Sequence, residues 1–338
     1  MTLKSNLDNK YFILFACCIP VKGAQRCIMC DLQRGGYIKI PNALYLILNK
    51  YKNRTLGWLK NHFGNENFGI ITEYFDLLVD NEYGFFSDSY QEFPKLELDN
   101  LYDSKLISNA IIDFDENSNH NFADIVTQLS DFFCEGLEVR LYSKRSKDFI
   151  ENIISTTETS SLRFLQLLIK YEEGISEEYL TKLQNKYPRL KLITVHGALE
   201  NKVIETLDTL IYITTEDVLK ETCCGQISPF YFSINLKSFI DAKNENSCLS
   251  KKISIDKDGA IKNCPSMPKS FGNISDTPLK DVVKMNDFRS IWSVKKDLIE
   301  SCSDCEYRYI CQDCRAYTLD NSNIYSKPAK CSYDPYEN

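Results

Sequence analysis

Long apolar runs are missing from this chain of 338 residues. No stretch of eighteen apolar residues occurs, so no membrane span is expected. The first ten residues are polar and hold no apolar signal-peptide core, so a cytoplasmic protein is expected. Strongly basic stretches are missing too. The formal net charge is −7, which argues against a dedicated nucleic-acid binder. There is no Gly-rich phosphate loop, no HExxH and no GxSxG, so the usual signatures of phosphate cradles, zinc proteases and serine hydrolases are absent. No repeat and no low-complexity linker is visible. Histidine is scarce: His62, His120 and His196 are scattered and share no motif.

Cysteine is what the chain has in quantity. There are 14, and half of them lie between Cys248 and Cys331. In a secreted protein such a count points to disulfides. In a reducing cytosol, clustered cysteines more often bind metal or do redox chemistry.

Three segments differ in rhythm. Residues 1–85 read as a small domain, with apolar strand-like runs at 11–18 and 26–32, a Gly35-Gly36 turn and a short strand at 37–40. Pro41-Asn42 then opens a helix, and further helices fit residues 56–63 and 67–80. A three-stranded ribbon followed by three helices is a winged-helix layout. Residues 86–240 alternate strands (106–114, 137–142, 161–171, 190–196, 210–214, 229–235) with helices (123–133, 147–155, 176–186). That alternation predicts an α/β fold, a parallel sheet or partial (β/α) barrel. Residues 241–338 gain Cys, Asp, Asn and Lys and lose extended apolar runs. A core that thin usually needs metal or disulfide staples.

Within this last segment, residues 252–261 read as a β-hairpin turning at Asp258-Gly259, which folds Cys248 and Cys264 toward each other. Cys302-x2-Cys305-x5-Cys311-x2-Cys314 and Cys331 follow. Pairs separated by two residues reach one metal because the chain turns around it, as in zinc ribbons and iron–sulfur sites alike. Spacing alone leaves structural zinc and iron–sulfur both open.

The whole pattern resembles the SPASM motif: C-x(9–15)-G-x4-C, a gap, C-x2-C-x5-C-x3-C, a gap, C. Here Gly259 supplies the glycine, and Tyr307-Arg308-Tyr309 and Cys314-Arg315-Ala316 are also family-like. The step from Cys311 to Cys314 is one residue shorter than usual. The resemblance implies two [4Fe–4S] clusters, with zinc the alternative. Cys302, Cys305, Cys311 and Cys331 would hold one cluster. Cys248, Cys264 and Cys314 would hold the other, whose fourth position is either open or filled by an eighth ligand.

The first eighty residues resemble a PqqD-type winged helix, which in peptide-modifying systems holds a leader peptide. The string CCIPVKGAQRCIMCDLQRGGYIKIPN resembles the opening of SPASM peptide maturases of the grasp-with-spasm type. SPASM domains normally follow a radical S-adenosylmethionine barrel, whose C-x3-C-x2-C after the first strand binds the catalytic cluster. No C-x3-C-x2-C occurs in this chain, and Asp115 to His120 after the first barrel-like strand contain no cysteine. The middle domain is thus expected to be a degenerate radical-SAM-like barrel, and no S-adenosylmethionine is expected.

Other residues have bland readings beside sharper ones. Cys17, Cys18, Cys27 and Cys30 sit on strand-like segments and read first as small buried hydrophobes, second as an extra metal site. Cys134 reads as core. Cys223-Cys224 precede Gly225 in a loop; packing is the default, and the missing eighth ligand is the alternative. His196 ends a strand and would line a barrel mouth. Asp113 and Asp115 alternate at the end of the first barrel-like strand, where barrel function concentrates. They read first as strand-end turn residues, second as ligands for a cation or a peptide amine.

Three functions follow as expectations. The first is an iron–sulfur protein in the maturation of a ribosomally synthesised peptide, binding the precursor and working with an ATP-grasp ligase, without radical chemistry. The second is an enzyme using an open-site auxiliary cluster for redox or Lewis-acid modification. The third is a zinc- or cluster-stapled structural scaffold. Neither membrane nor nucleic acid is an expected partner.

Overall fold

The computed structural model describes residues 7–91, 93, 96–98, 105–206, 208–221 and 224–337. The opening apolar run is two strands, not one: β1 (Tyr11–Leu14) and β2 (Cys18–Lys22). β2 joins β3 (Cys27–Asp31) and β4 (Gly36–Ile40) in an antiparallel sheet of order β2-β3-β4. The Asp31 carboxylate accepts the Gln33 and Arg34 N–H groups at 2.9 Å each, and Gly35 at φ +73° completes the turn into β4. Helices α1 (Asn42–Lys50), α2 (Leu56–Phe63) and α3 (Phe68–Asp80) follow. The hydroxyl of Thr55 accepts the Trp58 N–H and caps α2. Ile71, Phe75 and Leu78 form the buried stripe of α3, packing with Phe12, Leu44, Ile47 and Leu59. A short strand the sequence pattern did not mark, β5 (Gly84–Ser87), returns to pair antiparallel with β1.

The middle of the chain forms a mixed sheet. Strands β6 (Asn109–Phe114), β7 (Gly136–Leu141), β8 (Phe164–Lys170) and β9 (Leu190–His196) are parallel. Between them run α4 (Phe122–Asp131), α5 (Lys147–Thr156) and α6 (Glu177–Lys186), capped by Asn121, Ser146 and Ser176. β10 (Lys202–Glu205) and β11 (Leu210–Ile213) extend one edge.

The expected strand at 229–235 is not formed. Ser228 caps a 3-10 turn at Pro229–Tyr231, which leads into α7 (Leu236–Asn244). A different segment takes the other edge. β12 (Lys252–Ile255) pairs parallel with β6, and its hairpin partner β13 (Ile261–Lys262) turns at Gly259 with φ +81°. The sheet order is β10-β11-β9-β8-β7-β6-β12-β13. The hairpin flanked by Cys248 and Cys264 is therefore built into the same sheet as the α/β strands.

Side chains alternate across this sheet. Ala110, Ile112, Phe114, Leu137, Val139, Leu141, Leu165, Leu167 and Ile169 pack against α4, α5 and α6 in the largest core. Asp113, Glu138, Arg140, Lys170, His196 and Lys252 fall on the alternate positions, so the other face is polar and resembles the inside of a partial barrel.

Past β13 come α8 (Leu279–Lys284), α9 (Asn286–Ser290) and single turns. Leu279, Val282 and Val283 of α8 and Phe288 of α9 join the large core, while a separate small core gathers Leu249, Ile291, Val294 and Ile299 around Cys264 and Cys302. Another cluster joins the ends of the chain: Val21, Ile28, Cys30 and Leu32 pack against Phe239, Tyr307 and Ile310. The backbone clasps there too, with Ala24 N–H donating to Asp304 O at 2.7 Å and Arg308 Nη1 to Lys22 O at 2.5 Å. Among the described residues, no helix is long and apolar enough to cross a membrane.

Candidate metal centre

Tight turns bring the C-terminal cysteines inward. The Cys302 N–H donates to Glu300 O at 2.7 Å, after Ser301 takes φ +62°. The Cys305 N–H then donates to Cys302 O, the Cys311 N–H to Tyr307 O and the Cys331 N–H to Pro328 O. The four thiols lie close enough to act on one another. Cys302 is affected by Cys331 and Cys311, Cys305 by Cys302 and Cys311, and Cys311 by Cys331. Burial pushes the Cys302 thiol up to about 11 and that of Cys305 to about 12, and raises Cys311.

A second set forms beside β12. A small cavity of about 30 Å³ is lined by Cys224, Cys248, Cys264 and Cys314. Burial, then the neighbouring Cys248 thiol, pushes Cys264 up to about 12; the same two causes raise Cys314, and Cys224 adds to both. Asn246 Oδ1 accepts the N–H groups of Cys248 and Leu249 at 3.0 and 2.8 Å, fixing the turn that carries Cys248. Cys224 is the member that sequence reasoning left as packing by default. Its signal was the adjacent Gly225, at φ +83°, where a β-carbon would stand 2.8 Å from the Cys314 sulfur. Cys223 lies outside the described residues.

Each set faces one lysine. Lys296, only 3% exposed, donates from Nζ to Cys311 Sγ at 3.5 Å and to Gln312 O at 2.9 Å. Lys252, half-buried on β12, donates to Cys248 Sγ at 3.6 Å. Burial alone would lower both ammonium pKa values. The facing cysteines, in their thiolate form, and the Asp313 carboxylate beside Lys296 act against burial, and the net shift is upward.

These donor sets fit a thiophilic metal group. A buried thiol whose pKa burial has raised stays protonated at neutral pH until a cation takes the proton's place. Among the described residues, no three of these sulfurs lie mutually within 4.8 Å.

The remaining sites read more plainly. Cys17, Cys18 and Asp31 each offer one ligand atom within 4.8 Å of the others, a spacing one metal ion could bridge. Both Asp31 oxygens are already engaged, however, one by backbone N–H groups and the other by Arg34 at 2.5 Å. Cys27, Cys30 and Cys134 are fully buried.

Asp113 and Asp115 do not share a site. Asp113 is buried on the inner face, where Tyr142 OH donates to it at 3.0 Å and Arg140 Nε stands 4.0 Å away. Burial pushes its carboxyl up to about 7. Asp115 lies past the strand end, pairing with Lys257 at 3.1 Å and accepting from Asn117 and Ser118. His196 is fully buried, with Nε2 3.3 Å from Leu141 O and Nδ1 3.0 Å from Asp217.

A model of the SPASM family, an iron–sulfur cluster-binding domain, matches residues 247–306. No curated protein matches the chain significantly. Similar solved structures include Streptococcus suis SuiB bound to S-adenosylmethionine, at 11% identity and TM-score 0.38 over 95% of this chain and 100% of that one. SuiB bound to precursor peptide SuiA is similar at 9% identity and TM-score 0.37, over 96% and 100%. SuiB without either is similar at 10% identity and TM-score 0.34, over 95% and 100%.

Proposed function

We propose that this chain is an iron–sulfur protein with two [4Fe–4S] clusters, acting in the maturation of a ribosomally synthesised peptide. Cys302, Cys305, Cys311 and Cys331 hold one cluster; Cys224, Cys248, Cys264 and Cys314 hold the other. The observation that carries this reading is the sorting of eight thiols into two sets of four, four of them inside the segment matching an iron–sulfur domain. With Cys224 as the eighth ligand, neither cluster keeps an open iron, so the reading is of a protein that binds and presents more than one that activates substrate at a vacant iron site. When bound, the clusters supply one-electron chemistry and staple a thinly cored domain.

The peptide role rests on the resemblance of residues 1–85 to leader-binding winged helices and of the chain's opening to grasp-with-spasm maturases. In this reading the N-terminal unit holds the leader, the degenerate radical-SAM-like barrel with its SPASM segment presents the core peptide, and an ATP-grasp ligase forms the cross-links. The chain lacks C-x3-C-x2-C, so radical S-adenosylmethionine chemistry is not part of the proposal.

The test is a reconstitution of ligase and precursor with and without the full chain, read by mass spectrometry of the peptide. Cross-linking that depends on the chain supports the role. Cross-links formed at full rate and fidelity by the ligase alone overturn it.

A further inference from the structure

We propose that Lys296 and Lys252 are N–H···S donors that set the reduction potentials of the two clusters, one lysine to each. This rests on the cluster reading above. Lysine is almost never fully buried unless paired, because removing an ammonium from water costs several kcal/mol. Lys296 is 3% exposed, and among the described residues no carboxylate comes within ion-pair distance of it. Its ammonium instead meets Cys311 Sγ at 3.5 Å and the Gln312 carbonyl at 2.9 Å. In the cluster reading, the ligand thiolates of the first set, with the Asp313 carboxylate nearby, supply the counter-charge for this lysine. Lys252 repeats the arrangement in the second set, 3.6 Å from Cys248 Sγ, from a β12 position on the polar face of the sheet.

The sign follows from charge. A cluster on four thiolates gains one further negative charge on reduction. A fixed ammonium donating to a ligand sulfur stabilises the reduced state more than the oxidised one, so it raises the potential. Hydrogen bonds to sulfur and net charge are among the factors that set such potentials. The two lysines differ in setting. Lys296 is wholly enclosed and shares its surroundings with the Asp313 carboxylate, whereas Lys252 is half-buried and has Glu138 as a neighbour. Each substitution should therefore move one cluster and leave the other.

The experiment is a redox titration of the anaerobically reconstituted full chain, followed by the electron paramagnetic resonance signals of the reduced clusters. Lys296→Met should lower the midpoint of one signal by at least a tenfold change in the reduction equilibrium, about 59 mV for a one-electron couple. Lys252→Met should lower the other, and Lys296→Arg, which keeps a charged donor, should stay near the parent. Should Lys296→Met fail to load iron, Lys252→Met and the neutral donor Lys296→Gln carry the test. Normal iron and sulfide with unmoved potentials in those variants overturn the lysine role alone. A parent chain that takes up no cluster overturns the cluster reading and this inference with it.

Discussion

Asn246 and Asp313 meet in the interior through a 2.7 Å hydrogen bond from Nδ2 to Oδ2. Each sits beside a cysteine of the second set. Asn246 holds the N–H of Cys248, and Asp313 precedes Cys314 while taking a buried ion pair from Arg315 at 2.7 Å. One polar contact therefore locks together two segments nearly seventy residues apart in sequence. Asp313→Ala leaves Arg315 buried without its partner and is expected to cost about 3–5 kcal/mol. Asn246→Ala should cost about 1–3 kcal/mol. Denaturant midpoints check both, and the two costs should fall short of additive in the double variant.

Gly225 gives a sharper steric test. Alanine there meets φ +83°, a conformation costing roughly 1–2 kcal/mol for residues with a β-carbon, and that carbon would stand 2.8 Å from Cys314 Sγ and 3.1 Å from the Tyr317 ring. Gly225→Ala is expected to displace the Cys314 thiol and remove iron from the second set, with the first set's spectrum unchanged.

Single cysteine losses should divide the iron. Cys302→Ala is expected to remove about half of the bound iron, and Cys264→Ala the other half, because each belongs to one set. Cys224→Ala should behave like Cys264→Ala. Iron loss confined to Cys264, with Cys224→Ala at the parent's content and spectrum, would count against Cys224 as a ligand.

Asp113 predicts a pH dependence. Burial raises its carboxyl from the ordinary 3.8 to about 7. Between those values the folded chain keeps a proton that the unfolded chain has released, so folding stability from this group falls as pH rises from about 4 to about 7 and is flat above. Asp113→Asn, which cannot ionise, should lose that slope. Melting temperatures across this range should decline less in the variant than in the parent. Parallel profiles would show that Asp113 ionises normally in the folded state.

Much of the α/β segment was legible because periodicity and caps agreed. Residues 190–196 were read as the strand the fold contains, and α4 to α6 start at Asn and Ser caps. The edge strands were less so. β10 and β5 are four residues each, too short for alternation to register, and 229–235 is apolar enough to pass for a strand although its first residues close a 3-10 turn capped by Ser228. The pairing of β12 with β6 is a long-range choice that local pattern does not encode. At the candidate site, the seven C-terminal cysteines were readable from spacing and resemblance. Cys224 was not, because a cysteine in an irregular loop looks like any small apolar residue until the fold brings it to Cys248, Cys264 and Cys314. Lys252 and Lys296 were invisible for the same reason: a lysine's burial is decided by tertiary packing.

The most direct measurement is the iron, acid-labile sulfide and zinc content of the full chain after anaerobic reconstitution, paired with Mössbauer spectroscopy. Iron and sulfide sufficient for two [4Fe–4S] clusters per chain, with all iron in cubane signals, is the result predicted. About one zinc per thiol set, with no sulfide and no iron uptake, would contradict it.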